Sequence, residues 1–374
     1  MLDEPYVMKI IIAAGGTGGH LFPGIALAQA FTAKNSDNQL LFIGTRRELD
    51  KKTIAPYGYS FVAIDATGIK GKNVVAMFTS SLNTLKSIAQ SLRMIKTFSP
   101  DLVVGLGGYV SGPVVLAASM MGVKTAIHEQ NTIPGLANRM LGKIADRIFI
   151  SFACSQSYFP QHKTVLLGNP IRKQHLVEAG QPQGKTPFTL LVIGGSLGSH
   201  QINRALIDAL EYLMPIKNTL RIIHQTGTGD ITLVREAYQT GGFSAEVVSF
   251  IDEIAPVYSQ ADLVISRAGA TTLAELMIHH KAAILIPYPL AADHHQHRNA
   301  GVLVDEEAAR MIDPEHLTGK CLAGQILDLY HHPERLSALE QNAGKMSRPH
   351  AALSLIHISE PTRPPVASRM PSSA

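Results

Sequence analysis

The sequence predicts an α/β protein built from two doubly wound parallel-sheet domains that face each other across a cleft. Three observations carry that expectation. Short apolar runs alternate with helical patterns along most of the chain, the signature of parallel strands joined by crossover helices. The order strand, glycine turn, helix opens the chain at 7–31 and returns at 188–210. A length of 374 residues is also more than one hydrophobic core usually organises.

The first element is VMKIIIAA, residues 7–14, apolar on successive positions and short enough for a strand buried on both faces. Gly15, Gly16, Thr17, Gly18 and Gly19 follow, and Ile25, Leu27, Ala28, Ala30 and Phe31 continue as a helix with little charge. Such a turn lets backbone approach a ligand closely, with unpaired N–H groups at the helix start directed at it. The natural occupant is an anion, most often a phosphate. Further strands are predicted at LLFIG (40–44), DLVVGLG (101–107), TAIHEQ (125–130) and DRIFIS (146–151). Residues 103–123 carry no charge over about the 20 residues a bilayer requires. Gly105, Gly107, Gly108, Gly112 and Pro113 interrupt them, so the stretch reads as strand, glycine loop and small-residue helix.

TVLLGNPIRKQHL, residues 164–176, ends a short strand in a turn at Gly168, Asn169 and Pro170, and the domain boundary is expected here. The first domain then spans 1–167 and the second 168–350. QPQGKTP, residues 181–187, is a polar turn leading into FTLLVIGGSLGSHQINRALIDAL, where the opening architecture restarts. Strands at 220–227, 245–251, 261–269 and 282–289 complete the second sheet. From about Leu355 the chain turns rich in proline and serine and looks like translated vector sequence, so 355–374 is read as a non-native tail outside the fold.

Cys154 and Cys321 lie far apart in sequence, which argues against a disulfide framework or a thiolate zinc site and suits a reducing cytoplasm. The acidic N-terminus lacks the basic and apolar regions of a signal peptide, so export is not expected. A net charge of +4 hides an asymmetry: residues 1–172 hold 17 Lys/Arg against 9 Asp/Glu, and the remainder 16 against 20. The basic part is suited to an anionic partner.

Four functions compete for the glycine turns. Dinucleotide binding asks for G-x-G-x-x-G; Gly16 and Gly18 fit but Leu21 stands third, although Arg46 and Arg47 remain available to an NADP 2′-phosphate. A Walker A loop is excluded because no lysine follows these glycines. A serine hydrolase is suggested by Gly194, Gly195, Ser196, Leu197 and Gly198, a nucleophile-elbow pattern, with Asp252, Asp262 and Asp293 ahead of His294, His295 and His297. That reading leaves the first turn without a task. The fourth places a nucleotide-sugar in the cleft at the carboxyl ends of the strands. In SRAGATTLAELM, residues 266–277, Gly269 permits close approach. Ala270, Thr271, Thr272, Leu273, Ala274 and Glu275 begin a helix whose dipole favours a diphosphate, and the Glu275 carboxylate can accept two ribose hydroxyls.

GGTGGHLFPG (15–24), GGYVSGP (107–113), HEQN (128–131), GNPIR (168–172), GGSLGS (194–199), FIDEI (250–254) and SRAGATTLAE (266–275) together closely resemble the MurG family of bacterial N-acetylglucosaminyltransferases, which convert lipid I to lipid II in peptidoglycan synthesis. The likeness runs in order from residue 8 to about 350. It implies a GT-B fold of two Rossmann-like domains, UDP-N-acetylglucosamine as donor and undecaprenyl-pyrophosphoryl-N-acetylmuramyl pentapeptide as acceptor. It implies no cofactor, no nucleic-acid partner, and a peripheral position on the cytoplasmic face of the inner membrane. Carried over by position, Thr17, Gly18, Gly19, Asn131, Arg172 and Ser196 contact the donor, Ile251 meets uracil through its backbone, the 270–275 segment holds diphosphate and ribose, and Gln296 holds the sugar hydroxyls. Leu197 departs from a glutamine common in the family after that serine, and His294 and His295 flank Gln296 where members vary.

Inverting transfer needs one group to take a proton and others to absorb charge on the diphosphate. His20 is the preferred base, since it follows the glycine turn and imidazole titrates near neutral pH; Glu129 is its rival. DHHQH, residues 293–297, lacks a fourth ligand at zinc spacing. For reaching a lipid, 66–100 offers Lys70, Lys72, Lys86, Arg93 and Lys96 with no acidic residue, interleaved with Val74, Val75, Met77, Phe78, Leu82 and Leu85. That pattern suits peripheral docking on anionic lipid.

Overall fold

The computed structural model describes residues 7–66, 74–176 and 187–359. The first lobe runs β1 (Lys9–Ala13), α1 (Gly18–Lys34), β2 (Gln39–Thr45), α2 (Glu48–Ile54), β3 (Ser60–Ile64), α3 (Val74–Phe98), β4 (Leu102–Gly105), α4 (Gly108–Met120), β5 (Lys124–Glu129), α5 (Leu136–Leu141), β6 (Arg147–Ile150) and β7 (Thr164–Leu166). The second runs β8 (Phe188–Ile193), α6 (His200–Leu213), β9 (Leu220–Gln225), α7 (Ile231–Gly241), β10 (Ser244–Val248), α8 (Ala255–Gln260), β11 (Leu263–Ser266), α9 (Ala270–Ile278), β12 (Ala282–Leu285), α10 (His295–Asp305), β13 (Arg310–Met311), α11 (Gly319–His331) and α12 (Pro333–Lys345). A last helix, α13 (Ala351–Ser359), follows.

All pairings are parallel, in the orders β3-β2-β1-β4-β5-β6-β7 and β10-β9-β8-β11-β12-β13. The doubly wound expectation therefore holds in both lobes. The alternating sides of β1 explain why its run is apolar throughout: Ile10 and Ile12 pack with Leu21 and Ile25 of α1, while Ile11 and Ala13 pack with Val114 and Ala118 of α4. Leu190 and Val192 of β8 likewise join α6 and α11, and Leu191 and Ile193 join α9. On α6 the buried residues Ile202, Ala205, Leu206, Ala209 and Leu213 fall on one stripe, and Ser199 caps it by accepting the Ile202 N–H at 3.4 Å. The charge-free stretch 103–123 divides into β4 and α4, and no described helix is long and apolar enough to cross a membrane.

Two strands were not anticipated. β3 alternates half-exposed and exposed positions up to Ile64, as an edge strand does, and β13 is two residues long. The reading of 355–374 as lying outside the fold also needs correction at its start. Helix α13 runs through Ser359 and packs on α1, with Leu355 and Ile356 fully buried in the first lobe's core. Burial of that kind is worth roughly 1.5–3 kcal/mol per side chain, so these positions are part of the packed structure.

Candidate functional site

The carboxyl ends of β1 and β4 and the first turns of α1 and α4 make the first wall of the site. Asp50 of α2 is fully buried behind the first glycine turn. It accepts the Gly16 N–H at 3.0 and 3.1 Å, the Thr45 N–H at 2.9 Å and the Thr45 hydroxyl at 2.8 Å. One donor expected to meet a ligand anion is thus already taken by the protein's own carboxylate. A Cβ at Gly15 would lie 2.5 Å from Asp50 Oδ2, which is why glycine is needed there. Arg47 donates to the Gly16 carbonyl at 3.1 Å and Arg46 pairs with Asp65 at 2.6 Å, so both arginines considered for NADP serve internal contacts.

His20, in the first turn of α1, sits against Gly107, where a Cβ would come within 3.0 Å of its Nε2. Its Nδ1 lies 3.4 Å from Thr17 Oγ1. Desolvation lowers its pKa to about 4, opposed by the Asp50 charge, so the imidazole is neutral at pH 7.

Glu129 ends β5 and is buried. Its Oε1 accepts from the Asn131 N–H (2.9 Å) and Asn131 Nδ2 (3.3 Å), and its Oε2 from the Gly135 N–H (3.2 Å) and Asn138 Nδ2 (2.9 Å). Burial raises its pKa and these donors work against that rise. The loop after β5 is wound around this one side chain. It then reaches the other lobe: Asn299 of α10 accepts from the Thr132 N–H and hydroxyl, both at 3.0 Å, and donates to Asn131 Oδ1 (3.1 Å) and the Ala268 carbonyl (3.2 Å).

The second wall is built differently. Ser196 and Leu197 stand exposed at the apex of the turn after β8, and Gly195, at φ +93°, has open space around it. Gly198 passes so close to Thr226 that any Cβ would overlap its carbonyl. Gln225, at the carboxyl end of β9, donates to the Gly195 carbonyl (2.8 Å) and accepts the Ile251 N–H (2.9 Å), tying the turn to the FIDEI loop. Arg267, at the end of β11, donates to Ser199 Oγ (2.7 Å) and to the carbonyls of Ile286 and Pro287. Helix α9 starts at Ala270 after Gly269, with no side chain capping its first N–H groups; Thr271 Oγ1 is 3.5 Å from Asn169 Nδ2, and Leu273 and Ala274 are buried. Gln296 is half-buried and accepts the Tyr288 N–H at 2.9 Å.

Arg172 and Glu275 meet where the lobes join. Both are buried, with Arg172 NH2 3.5 Å from Glu275 Oε1 and its guanidinium 4.4 Å over the Phe22 ring of α1. His175 Nε2 lies 3.2 Å from Arg172 NH2 and 3.3 Å from Glu275 Oε1, its Nδ1 lies 3.0 Å from His279 Nε2, and Tyr258 donates to Glu275 Oε2 at 3.2 Å. Burial raises the Glu275 pKa, with Arg172 opposing, and lowers His175 to about 3 and His279 to about 4.

The structure thus brings Arg172 to Glu275, Asn131 to the start of α9 through Asn299, and His20 to the 107–108 loop. Among the described residues no hydrogen bond joins Ser196 to a histidine. Asp262 accepts the Thr189 N–H at the start of β8, a full strand of about 20 Å from the serine, and His295 and His297 are engaged by the Ala292 carbonyl and Asp313. No metal-holding cluster of His, Cys, Asp or Glu occurs among the described residues. Of the proposed lipid-facing residues, Lys70, Lys72 and the side chains of Val74, Val75, Met77, Phe78 and Leu82 lie outside the described residues. Leu85, Arg93 and Lys96 are exposed, and Lys86 pairs with Asp65 at 2.9 Å.

Asp50, Gln225 and Asn299, with the His175–His279 pair, escaped the sequence reading. Only Gln225 carried a signal, its place at the carboxyl end of an inner strand.

Comparison with known proteins matches residues 10–150 to the glycosyltransferase family 28 N-terminal domain and 189–354 to the family 28 C-terminal domain. The chain is 48% identical over 349 residues, 92% of its length and 96% of the relative's, to the UDP-N-acetylglucosamine–N-acetylmuramyl-(pentapeptide) pyrophosphoryl-undecaprenol N-acetylglucosamine transferase of Geotalea uraniireducens. It is 47% identical to the transferase of the same name from Geobacter sp., over 93% of this chain and 95% of that one. Among solved structures, Acinetobacter baumannii MurG superposes with a TM-score of 0.77 at 27% identity, covering 94% of this chain and 99% of that one.

Proposed function

The chain belongs to glycosyltransferase family 28, and from that premise we propose that it transfers N-acetylglucosamine from UDP-N-acetylglucosamine to the 4-hydroxyl of N-acetylmuramyl-pentapeptide pyrophosphoryl-undecaprenol, with inversion. The observation that supports the reading is the pair of unlike walls: a histidine beside the glycine turn of the first lobe, and on the second a helix, α9, whose first N–H groups no side chain caps.

In this reading the acceptor's 4-oxygen bonds to the anomeric carbon as the bond from that carbon to the β-phosphate oxygen breaks, and the electron pair leaves with UDP. The hydroxyl proton passes to Nε2 of His20 in the tautomer that carries its own proton on Nδ1, 3.4 Å from Thr17 Oγ1. The α9 start, residues 270–272, and the turn at Ser196 receive the diphosphate, and Arg172 adds charge. Ile251 frames the uracil, Glu275 the ribose and Gln296 the sugar hydroxyls. Thr17, Gly18 and Gly19 close over the donor from the first lobe, with Asn131 at its edge. Glu129, all four of whose contacts hold the 130–138 loop, supports the wall, which favours His20 over it as base.

The first lobe, 1–167, is assigned the acceptor and the membrane, and the second, 168–350, the donor. Exposed Arg93 and Lys96, with Lys70, Lys72 and Phe78, dock the protein on the anionic cytoplasmic face of the bilayer, each cation adding about 1 kcal/mol near the surface. Incubation with UDP-N-acetylglucosamine and a lipid I analogue, with and without EDTA, tests the activity. A β-linked disaccharide product is expected in both arms, and donor left intact in both would sink the reading. Sedimentation of a Lys70/Lys72/Phe78 triple variant with anionic vesicles tests the membrane face; undiminished binding would refute it.

A further inference from the structure

The Arg172 side of the cleft contains more buried polar machinery than donor binding by Arg172 and Glu275 requires. Arg172, His175, Tyr258, Glu275 and His279 are all more than nine-tenths buried. The rings of Tyr258 and His279 stack with centroids 5.0 Å apart, and those of His175 and His279 meet edge-on at 5.3 Å.

The donor inventory selects one set of ring protons. Arg172 has only N–H donors, so His175 Nε2, 3.2 Å away, presents its lone pair. In this set His175 carries its proton on Nδ1 and donates to His279 Nε2 at 3.0 Å, which puts the His279 proton on Nδ1, a buried atom with no hydrogen-bond partner among the described residues. With His175 Nε2 unprotonated, its 3.3 Å approach to Glu275 Oε1 brings two acceptors together, held by the guanidinium N–H groups beside both. Glu275 is left with Arg172 at 3.5 Å on one oxygen and the Tyr258 hydroxyl at 3.2 Å on the other. A carboxylate has room for about four hydrogen bonds, so acceptor capacity is kept in reserve.

We propose that the His279–His175 pair is a positioning relay for the donor site: by fixing which nitrogen of His175 is the acceptor, it steers Arg172 and holds Glu275 under-satisfied and ready for the two vicinal hydroxyls of a ribose. The relay rests on the reading of Glu275 as the ribose acceptor. His175 and His279 are positioning residues, since they act through Arg172.

The test uses the chemistry of histidine mimics, with transfer kinetics measured on the full chain. Gln places its carbonyl near Nε2 and can still accept from Arg172, whereas Asn reproduces only the Nδ1 side and Leu neither. His175→Leu and His175→Asn are expected to raise KM for UDP-N-acetylglucosamine about tenfold with kcat within about twofold, as suits lost ground-state binding, and His175→Gln to recover most of that loss. Equal behaviour of the Gln and Asn variants would overturn the relay. If His175→Leu or His175→Asn fails to fold, judged by circular dichroism, the His279→Leu and His279→Gln pair gives the same contrast from the far end of the chain. Glu275→Ala separates the two layers of the inference. A raised donor KM in Glu275→Ala with no change in the His175 and His279 variants removes the relay alone, while an unchanged KM in Glu275→Ala removes the ribose reading and the relay with it.

Discussion

The turns at 15–19 and 194–199 each follow an inner strand of a parallel sheet and each lead into a helix, yet their polar partners differ. Behind the first, Asp50 fills the Gly16 N–H and places a carboxylate where an anion would otherwise be drawn. Around the second, Gly195 has open space and Ser196 is exposed, while the fixed partners, Gln225 and Arg267, brace the turn from its flanks. The comparison teaches that a repeated strand, glycine turn and helix specifies a wall, while the long-range partner behind it decides what the wall does. Under the proposed function, the first would hold the base and the second the phosphate.

The sharpest way to break this contrast is at His20. His20→Ala should lower the single-turnover rate by roughly 10²–10⁴-fold while UDP affinity stays within about twofold, read by rapid quench and by titration. A rate within threefold of the parent would remove His20 as the base. Next comes Asp50→Ala, which strands the Gly16 and Thr45 N–H groups in a dry interior and should cost about 3 kcal/mol of stability, visible as a lower urea midpoint. An unchanged midpoint would show that the first turn does not depend on its carboxylate.

The pH profile sharpens the same difference. Because burial holds His20 near 4 in the folded chain against 6.5 when exposed, kcat/KM should stay flat from pH 7 to about 5 and fall only as pH drops through 4. The linkage runs the same way: the unfolded chain takes up this proton near 6.5 and the folded chain near 4, so stability is full above that window and is lost as pH falls through it. An acid limb centred near 6.5 would assign the proton elsewhere. Ser196→Ala is the mildest change. Exposed at the second turn, it should weaken UDP binding by about 1 kcal/mol and leave the urea midpoint in place, and calorimetry showing full affinity would remove Ser196 from the donor site.

Most of the fold was legible because parallel strands buried on both faces are written as contiguous apolar runs, as in IIIA of β1 and LLVI of β8. The misses have local causes. β3 is half solvated at the sheet edge, and β13 is too short to show a period. Helix α13 sits in a segment whose composition argued against structure, yet Leu355 and Ile356 join the core beside α1, more than three hundred residues earlier in the chain. The glycine turns and helix starts of the candidate site were legible as structure. Its long-range pairings were not. Nothing in RRELD marks Asp50 as the partner of Gly16, and nothing in HRNA marks Asn299 as the contact of Thr132.

Helix α13 has a mechanical consequence. The polypeptide crosses between the lobes twice, once between β7 and β8 and again between α12 and α13. Two covalent crossings restrain the halves more than one would, and removing the chain from residue 350 onward would take away the second crossing and expose Leu21 and Ile25 of α1.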